Sequence, residues 1–213
     1  MKKANTSREI PVDTASEVDQ SLEKTAPTRG RPRSEAAAAS VLNAAYACAA
    51  QEDARNVTIE AIAKASGVSK VTIYRWWEDK QALLTDAFLW HIQRQVPLSE
   101  SGDPIRAIHR HAVLYLSQLN GEMGRVLRVV LAECLTKSGD TSVFCERYLN
   151  HRRELGGRVI AAGQRSGAIP SKRSPFLLYD QIYGTIFYRF VFGFPGLNTR
   201  FVRELIEHTF HGP

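Results

Sequence analysis

The stretch from Thr58 to Lys80, TIEAIAKASGVSKVTIYRWWEDK, constrains this chain more than any other. Apolar residues fall at Ile59, Ile62, Ala63, Val68, Val71 and Ile73, and Ser66-Gly67 breaks the run once. The spacing predicts two short helices joined by a tight turn. Small Ala63 lets the second helix cross close to the first, Gly67 supplies the positive φ the turn needs, and Val68 and Ile73 plug the crossing. Ser69 caps the second helix, which then exposes Lys70, Thr72, Tyr74 and Arg75, side chains able to bond phosphates or base edges in a major groove. Thr58, at the start of the first helix, stands where its hydroxyl and backbone N–H meet a phosphate. The pattern is that of a helix-turn-helix and implies duplex DNA as a partner.

Flanking segments extend the reading in both directions. Residues 1–28 are polar, with only isolated Ile10, Val12, Val18 and Leu22, and are expected to be a disordered extension. Arg29-Gly30-Arg31-Pro32-Arg33 places three guanidinium groups on a Pro-stiffened backbone, and is read either as an arm for an A·T-rich minor groove or as a solvated basic linker. Ser34 caps an Ala-rich helix running to about Ala50, with Val41, Leu42, Ala45, Cys48 and Ala49 on one face. Asp79 caps a longer helix that Pro97 stops, and helices are predicted from Pro104, Glu122, about Thr141, Pro175 and Asn198. No alternating strand pattern occurs. The expectation is an all-α fold of about nine helices, with a helix-turn-helix domain at 29–78 and a helical effector-binding and dimerisation domain at 79–213.

These residues resemble a known family. Thr58-Ile59-Glu60-Ala61-Ile62-Ala63, Gly67-Val68-Ser69-Lys70 and Thr72-Ile73-Tyr74 through Trp77 to Lys80 are similar to the TetR/AcrR family of one-component transcriptional repressors, over roughly residues 29 to 94. Val71 stands where that family usually has a small residue, Trp77 replaces a usual Phe, and Asp53-Ala54 replaces a usual Gly-aromatic pair. The resemblance implies that Lys70 and Tyr74 face the groove, that Val71 touches a thymine methyl, and that Thr58, Thr72, Trp76 and Lys80 meet phosphate or sugar. Ser69 and Arg75 complete the DNA-facing set. It further implies a homodimer on operator DNA, released by a small-molecule effector. A constitutive architectural DNA binder that uses the Arg29 to Arg33 arm and senses no ligand is the alternative.

Composition limits the other classes. The net charge of +6 is spread among 22 acidic residues, so the balance favours polyanions without establishing a partner. Cys48, Cys134 and Cys145 lie far apart in apolar helical runs, as reduced core residues of a cytoplasmic protein do. No run is long enough for a membrane span. His109 and His111 are set about 200° apart around a helix, and His208 with His211 share a face at the C-terminus with only Glu204 or Glu207 placed to complete a site, so no metal and no cofactor are expected. No nucleophile motif or phosphate loop marks an enzyme.

In the distal part, Trp90, Tyr115, Met123, Glu133, Cys134, Tyr148 and Tyr183 are the candidates for lining a ligand pocket. Glu133 within VVLAECL must be paired, exposed or waiting for a partner. The dimer interface is expected on the last two helices, through Leu178, Ile182, Tyr183, Ile186, Phe187, Phe190, Phe201, Leu205 and Phe210, which present more apolar surface than one small bundle covers. The competing reading closes that surface over the protein's own core.

Overall fold

Six of the helices begin where a short polar side chain satisfies free N–H groups. In this computed structural model, which describes residues 34–53, 56–137 and 141–212, nine helical runs are seen and no strand among those residues. The expected extension at 1–28 and the arm residues Arg29, Arg31 and Arg33 lie outside the described residues. Helix α1 spans Glu35–Gln51, α2 Ile59–Ser66, α3 Lys70–Trp76, α4 Lys80–Gln95, α5 Pro104–Leu119 and α6 Glu122–Lys137. The seventh run, α7, covers 142–165; α8 covers 175–191; α9 is Thr199–His211.

The caps follow the sequence. Ser34, Thr58, Ser69, Asp79, Asp103 and Asn198 each accept a backbone N–H from the first turn of α1, α2, α3, α4, α5 and α9. Two runs contain what the sequence did not predict. Cys145–Asn150 in α7 and Asp180–Gly184 in α8 are wound as π-helix, with α-helix on either side. Such widened turns re-aim side chains by the extra residue they insert.

Helix α1 packs against α2, α4 and α6, and α4 also packs on α6 and on the π segment of α7. Ala38, Ala45 and Ala49 on α1 are buried, and their small size allows this close approach. Helix α7 packs along α8, with Gly156 and Gly157 at the contact. A Cβ at Gly156 would stand 2.2 Å from the Tyr179 ring and one at Gly157 2.7 Å from the Phe176 ring, so both positions exclude larger residues. One apolar core runs from Val41 and Ile62 through Phe88 and Ile108 to Ile186 and Phe210.

Candidate DNA interface and distal cavity

The α2–α3 turn is closed by local bonds. Gly67 has φ 70° and donates its N–H to Ala63 O at 3.0 Å, while Ser66 Oγ accepts from Val68 N at 3.3 Å. Ser40 on α1 donates to Ser66 O at 3.1 Å, which fixes the turn to the first helix. Ile73 is buried, and Ala63 and Val68 pack half-buried around it. Inward packing of Ile73 forces the opposite face of α3 outward. Val71 is 72% exposed and Tyr74 55%, with Lys70 and Arg75 beside them and Thr72 and Trp76 half-buried. Among the described residues, nothing covers these two large apolar side chains.

Lys70 Nζ rests on Glu60 Oε1 at 2.8 Å, and this contact holds the Glu60 carboxyl below its usual range. The pair is open to solvent, so it is screened and readily exchanged for a phosphate or a base edge. Trp77 is buried between α3 and α4, and its Nε1 donates to Asp86 Oδ2 at 2.9 Å. Asp86 Oδ1 also accepts from Arg147 Nη1 at 2.8 Å, on the π segment of α7. One carboxylate on α4 therefore joins the end of α3 to α7.

Lys80 is placed differently from the expectation. Its Nζ makes an ion pair with Glu133 Oε2 at 2.8 Å and donates to Val57 O at 3.0 Å, largely withdrawn from solvent. This corrects two readings at once: Lys80 is engaged beneath the reading head rather than offered to phosphate, and Glu133 is its counter-ion rather than a ligand contact. The pair ties α4 to α6. Glu133→Ala is expected to cost roughly 2–4 kcal/mol in urea denaturation, somewhat below a fully buried pair because Lys80 keeps some solvent. Lys80→Met with Glu133→Leu should recover most of it. A loss under about 0.5 kcal/mol for Glu133→Ala would show the pair to be dispensable.

The distal helices enclose a cavity of about 300 Å³ lined by residues of α5, α7 and α8. Three pairs at i, i+4 spacing supply its wall: His111 and Tyr115, Tyr148 and Arg152, Tyr179 and Tyr183. Cys145, Leu149 and Asn150 join from one π segment, Asp180 and Gly184 from the other. Burial pushes Tyr115 up to about 12 and raises Tyr148, Tyr179 and Tyr183 as well, so all four phenols keep their protons. Burial, and then the Arg152 guanidinium, lower His111 to about 3.

Two family models match this chain: "Bacterial regulatory proteins, tetR family" over residues 41–87, and "Tetracyclin repressor-like, C-terminal domain" over residues 98–209. The chain belongs to the TetR family. It is similar to the HTH-type transcriptional regulator YdeS of Bacillus subtilis (strain 168), with 29% identity over 184 residues, 86% of this chain and 93% of that protein. It is 25% identical over 149 residues to the HTH-type transcriptional regulator AqdR of Rhodococcus erythropolis, 68% of this chain and 70% of that one. Among solved structures, the TetR family transcription regulator SCO0332 has the same fold, with a TM-score of 0.72 and 24% identity over 84% of this chain and 99% of that one. FadR from Bacillus subtilis, solved in complex with stearoyl-CoA, has a TM-score of 0.62 at 19% identity, over 82% and 98% of the two chains. A TetR-family chain is a DNA-binding transcriptional regulator, not an enzyme.

Within this TetR-family protein the expected pocket residues divide. Tyr115, Tyr148 and Tyr183 do meet at the cavity. Trp90 does not: the Arg94 guanidinium lies 3.6 Å over its ring, in a groove between α1 and α4. Met123 and Cys134 are core residues of α6 outside the cavity wall. His111, Arg152, Arg153, Tyr179 and Asp180 line the cavity and were not anticipated; the shared i, i+4 spacing of polar and aromatic residues on three helices was the available signal.

The expected interface also divides. Leu178, Ile182, Ile186, Phe190 and Phe210 are buried within the chain itself, Tyr183 faces the cavity and Phe187 half-lines it. The Arg128 guanidinium lies 4.2 Å over the Phe190 ring and its Nη2 donates to Phe190 O, so this part of α8 is committed to α6. Phe201 and Leu205 are half-buried. The apolar residues left uncovered on α8 and just past its end are others: Leu177, Tyr188 and Phe192, at 47%, 53% and 70% exposure, with the Phe194 ring tilted against Tyr188 at 5.0 Å. The correction has a simple cause: α8 is apolar on two faces, and the inner one belongs to the chain's own core.

Proposed function

We propose that this protein is a homodimeric repressor in the cytoplasm, binding operator DNA through α3 and released from it by a small molecule held in the distal cavity. The observation that carries the reading is the uncovered Lys70, Val71, Tyr74 and Arg75 face of α3, set on a closed helix-turn-helix. Residues 29–78 act as the reading head, with Thr58, Ser69, Thr72 and Trp76 at sugar and phosphate, and residues 79–213 carry the cavity and the dimer contacts. A single helix-turn-helix reads few base pairs, so specificity requires two heads about 34 Å apart. The exposed stripe of Leu177, Gly184 and Tyr188 on α8, continued by Phe192 just past its end, is suited to a two-fold contact that fixes this spacing.

Release is supported by the ties between cavity and head. Asp86 joins Trp77 at the end of α3 to Arg147 in a π segment whose neighbours Cys145, Tyr148, Leu149 and Asn150 wall the cavity. A ligand that repositions this segment acts on α4 and through it on α3. The cavity also favours this reading over a constitutive architectural binder, which has no use for one. The test is footprinting on the DNA flanking the protein's own gene, with transcription measured from the same fragment. The reading expects protection overlapping the promoter and lower transcript yield; protection that leaves transcription unchanged or raised would remove the repressor assignment.

A further inference from the structure

We infer that the distal cavity takes a small planar aromatic monoanion, whose carboxylate or equivalent anionic group is bound by Arg152 and Tyr183. The inference rests on the effector reading above and adds the ligand's chemical class.

Arg152 is 7% exposed, and among the described residues no carboxylate pairs with it. Its guanidinium donates instead to Val96 O at 3.0 Å and to His111 Nε2. A neutral carbonyl and a neutral imidazole leave a buried cation without a counter-charge, an arrangement that an incoming anion relieves. The other charged groups at the cavity do not supply that anion. Asp180 is held by Arg153 in a bidentate pair at 2.7 to 2.9 Å, half-exposed at the rim. Two guanidinium groups face one carboxylate, so the cavity carries one net positive charge.

The hydrogen-bond chain adds a second donor. Because His111 Nε2 accepts from Arg152, its proton sits on Nδ1 and is donated to Tyr183 Oη at 2.6 Å. The Tyr183 hydroxyl then keeps its own hydrogen for another acceptor. A guanidinium and a phenol donor aimed at one space match a carboxylate and leave a cationic or donor-only ligand unmatched.

Size and wall chemistry define the remainder. The cavity is about 300 Å³, roughly twice the ~150 Å³ that admits one benzene. Its wall includes the rings of Tyr115, Tyr148, Tyr179, Tyr183 and Phe187, with Tyr179 and Tyr183 stacked at 4.4 Å. One or two fused rings fit between such faces. Binding also has an outlet, because Val96 is the C-cap of α4. An anion that draws Arg152 away releases that carbonyl at the end of the helix whose start supports α3.

The test uses the full-length protein without DNA and a matched probe pair, 1-naphthoate and its neutral amide 1-naphthamide, in calorimetric titration. The acid is expected to bind about tenfold to a hundredfold more tightly than the amide, as a charge-assisted hydrogen bond of this kind provides. Arg152→Lys should retain the preference, Arg152→Gln should abolish it, and Tyr183→Phe should reduce it without loss of fold. Equal binding of acid and amide, a preference that persists in a folded Arg152→Gln protein, no acid binding up to about 1 mM, or tighter binding of 1-naphthylmethylammonium overturns the proposal. If Arg152→Gln does not fold, the wild-type acid-to-amide ratio and Tyr183→Phe decide. The same acid is then added to the operator complex: binding without release leaves the ligand assignment intact and defeats effector release, whereas release by another compound with no acid binding does the reverse.

Discussion

Alanine at Lys70 and Tyr74 together is expected to weaken binding to the specific operator by about a hundredfold or more in a gel-shift titration, since each base-edge contact is worth about one to two orders of magnitude. The effect follows from placement. Ile73 is anchored under α2, so α3 cannot rotate, and its outer face stands uncovered among the described residues. Neither side chain supports the fold: Tyr74 is more than half exposed, and the Lys70 contact with Glu60 is at the surface. The double variant should therefore retain its thermal midpoint while losing the operator. Arg165→Ala, on the exposed end of α7, serves as the control and should bind as the parent does. Similar affinity for all three proteins would show that α3 does not read the groove.

The second large effect separates the two faces of α8. Ile186 is wholly buried, and Ile186→Glu places a carboxylate in the core with no partner, at a cost of about 4 kcal/mol or more. It should abolish folding, visible as loss of helical circular dichroism. Tyr188→Glu, two residues on, lies on the uncovered face against Phe192 and Phe194 at 5.2 and 5.0 Å. That variant should remain helical, sediment as a monomer at micromolar concentration and lose operator affinity. A folded Ile186→Glu monomer would return the interface to the inner face; an unaffected Tyr188→Glu dimer would remove the outer face from it.

What the sequence made legible was local. Caps at Ser34, Thr58, Ser69, Asp79 and Asn198, the left-handed Gly67 and the plug at Ile73 depend on residues within a few positions of one another, and the structure places them as the pattern requires. Tertiary partners were less accessible. Lys80 and Glu133 are 53 positions apart in number, and a lysine in the first turn of a helix carries no sign that a glutamate on a distant helix will reach it. Arg152 sits in the strongly polar run His151-Arg152-Arg153-Glu154, whose composition suggests a solvated face. The π turn before it rotates that run so that Arg152 points inward while Arg153 stays at the rim. Helix α8 failed for another reason. Periodicity identifies apolar faces but does not say which one a chain covers by itself, and Ile182, Ile186 and Phe190 are buried in the chain's own core, with Arg128 of α6 over the Phe190 ring.

The central claim is that two copies of α3, held by one dimer, read one symmetric site. Selection from a random duplex library with the intact protein tests it most directly, at two salt concentrations so that specific and phosphate-driven binding separate. The account predicts enrichment of an inverted repeat whose half-site centres lie about one helical turn, or a small multiple of it, apart. It also predicts that Tyr74→Ala enriches a degraded form of the same repeat. Enrichment of a single unrepeated site, or of no sequence above the input at either salt, would contradict it.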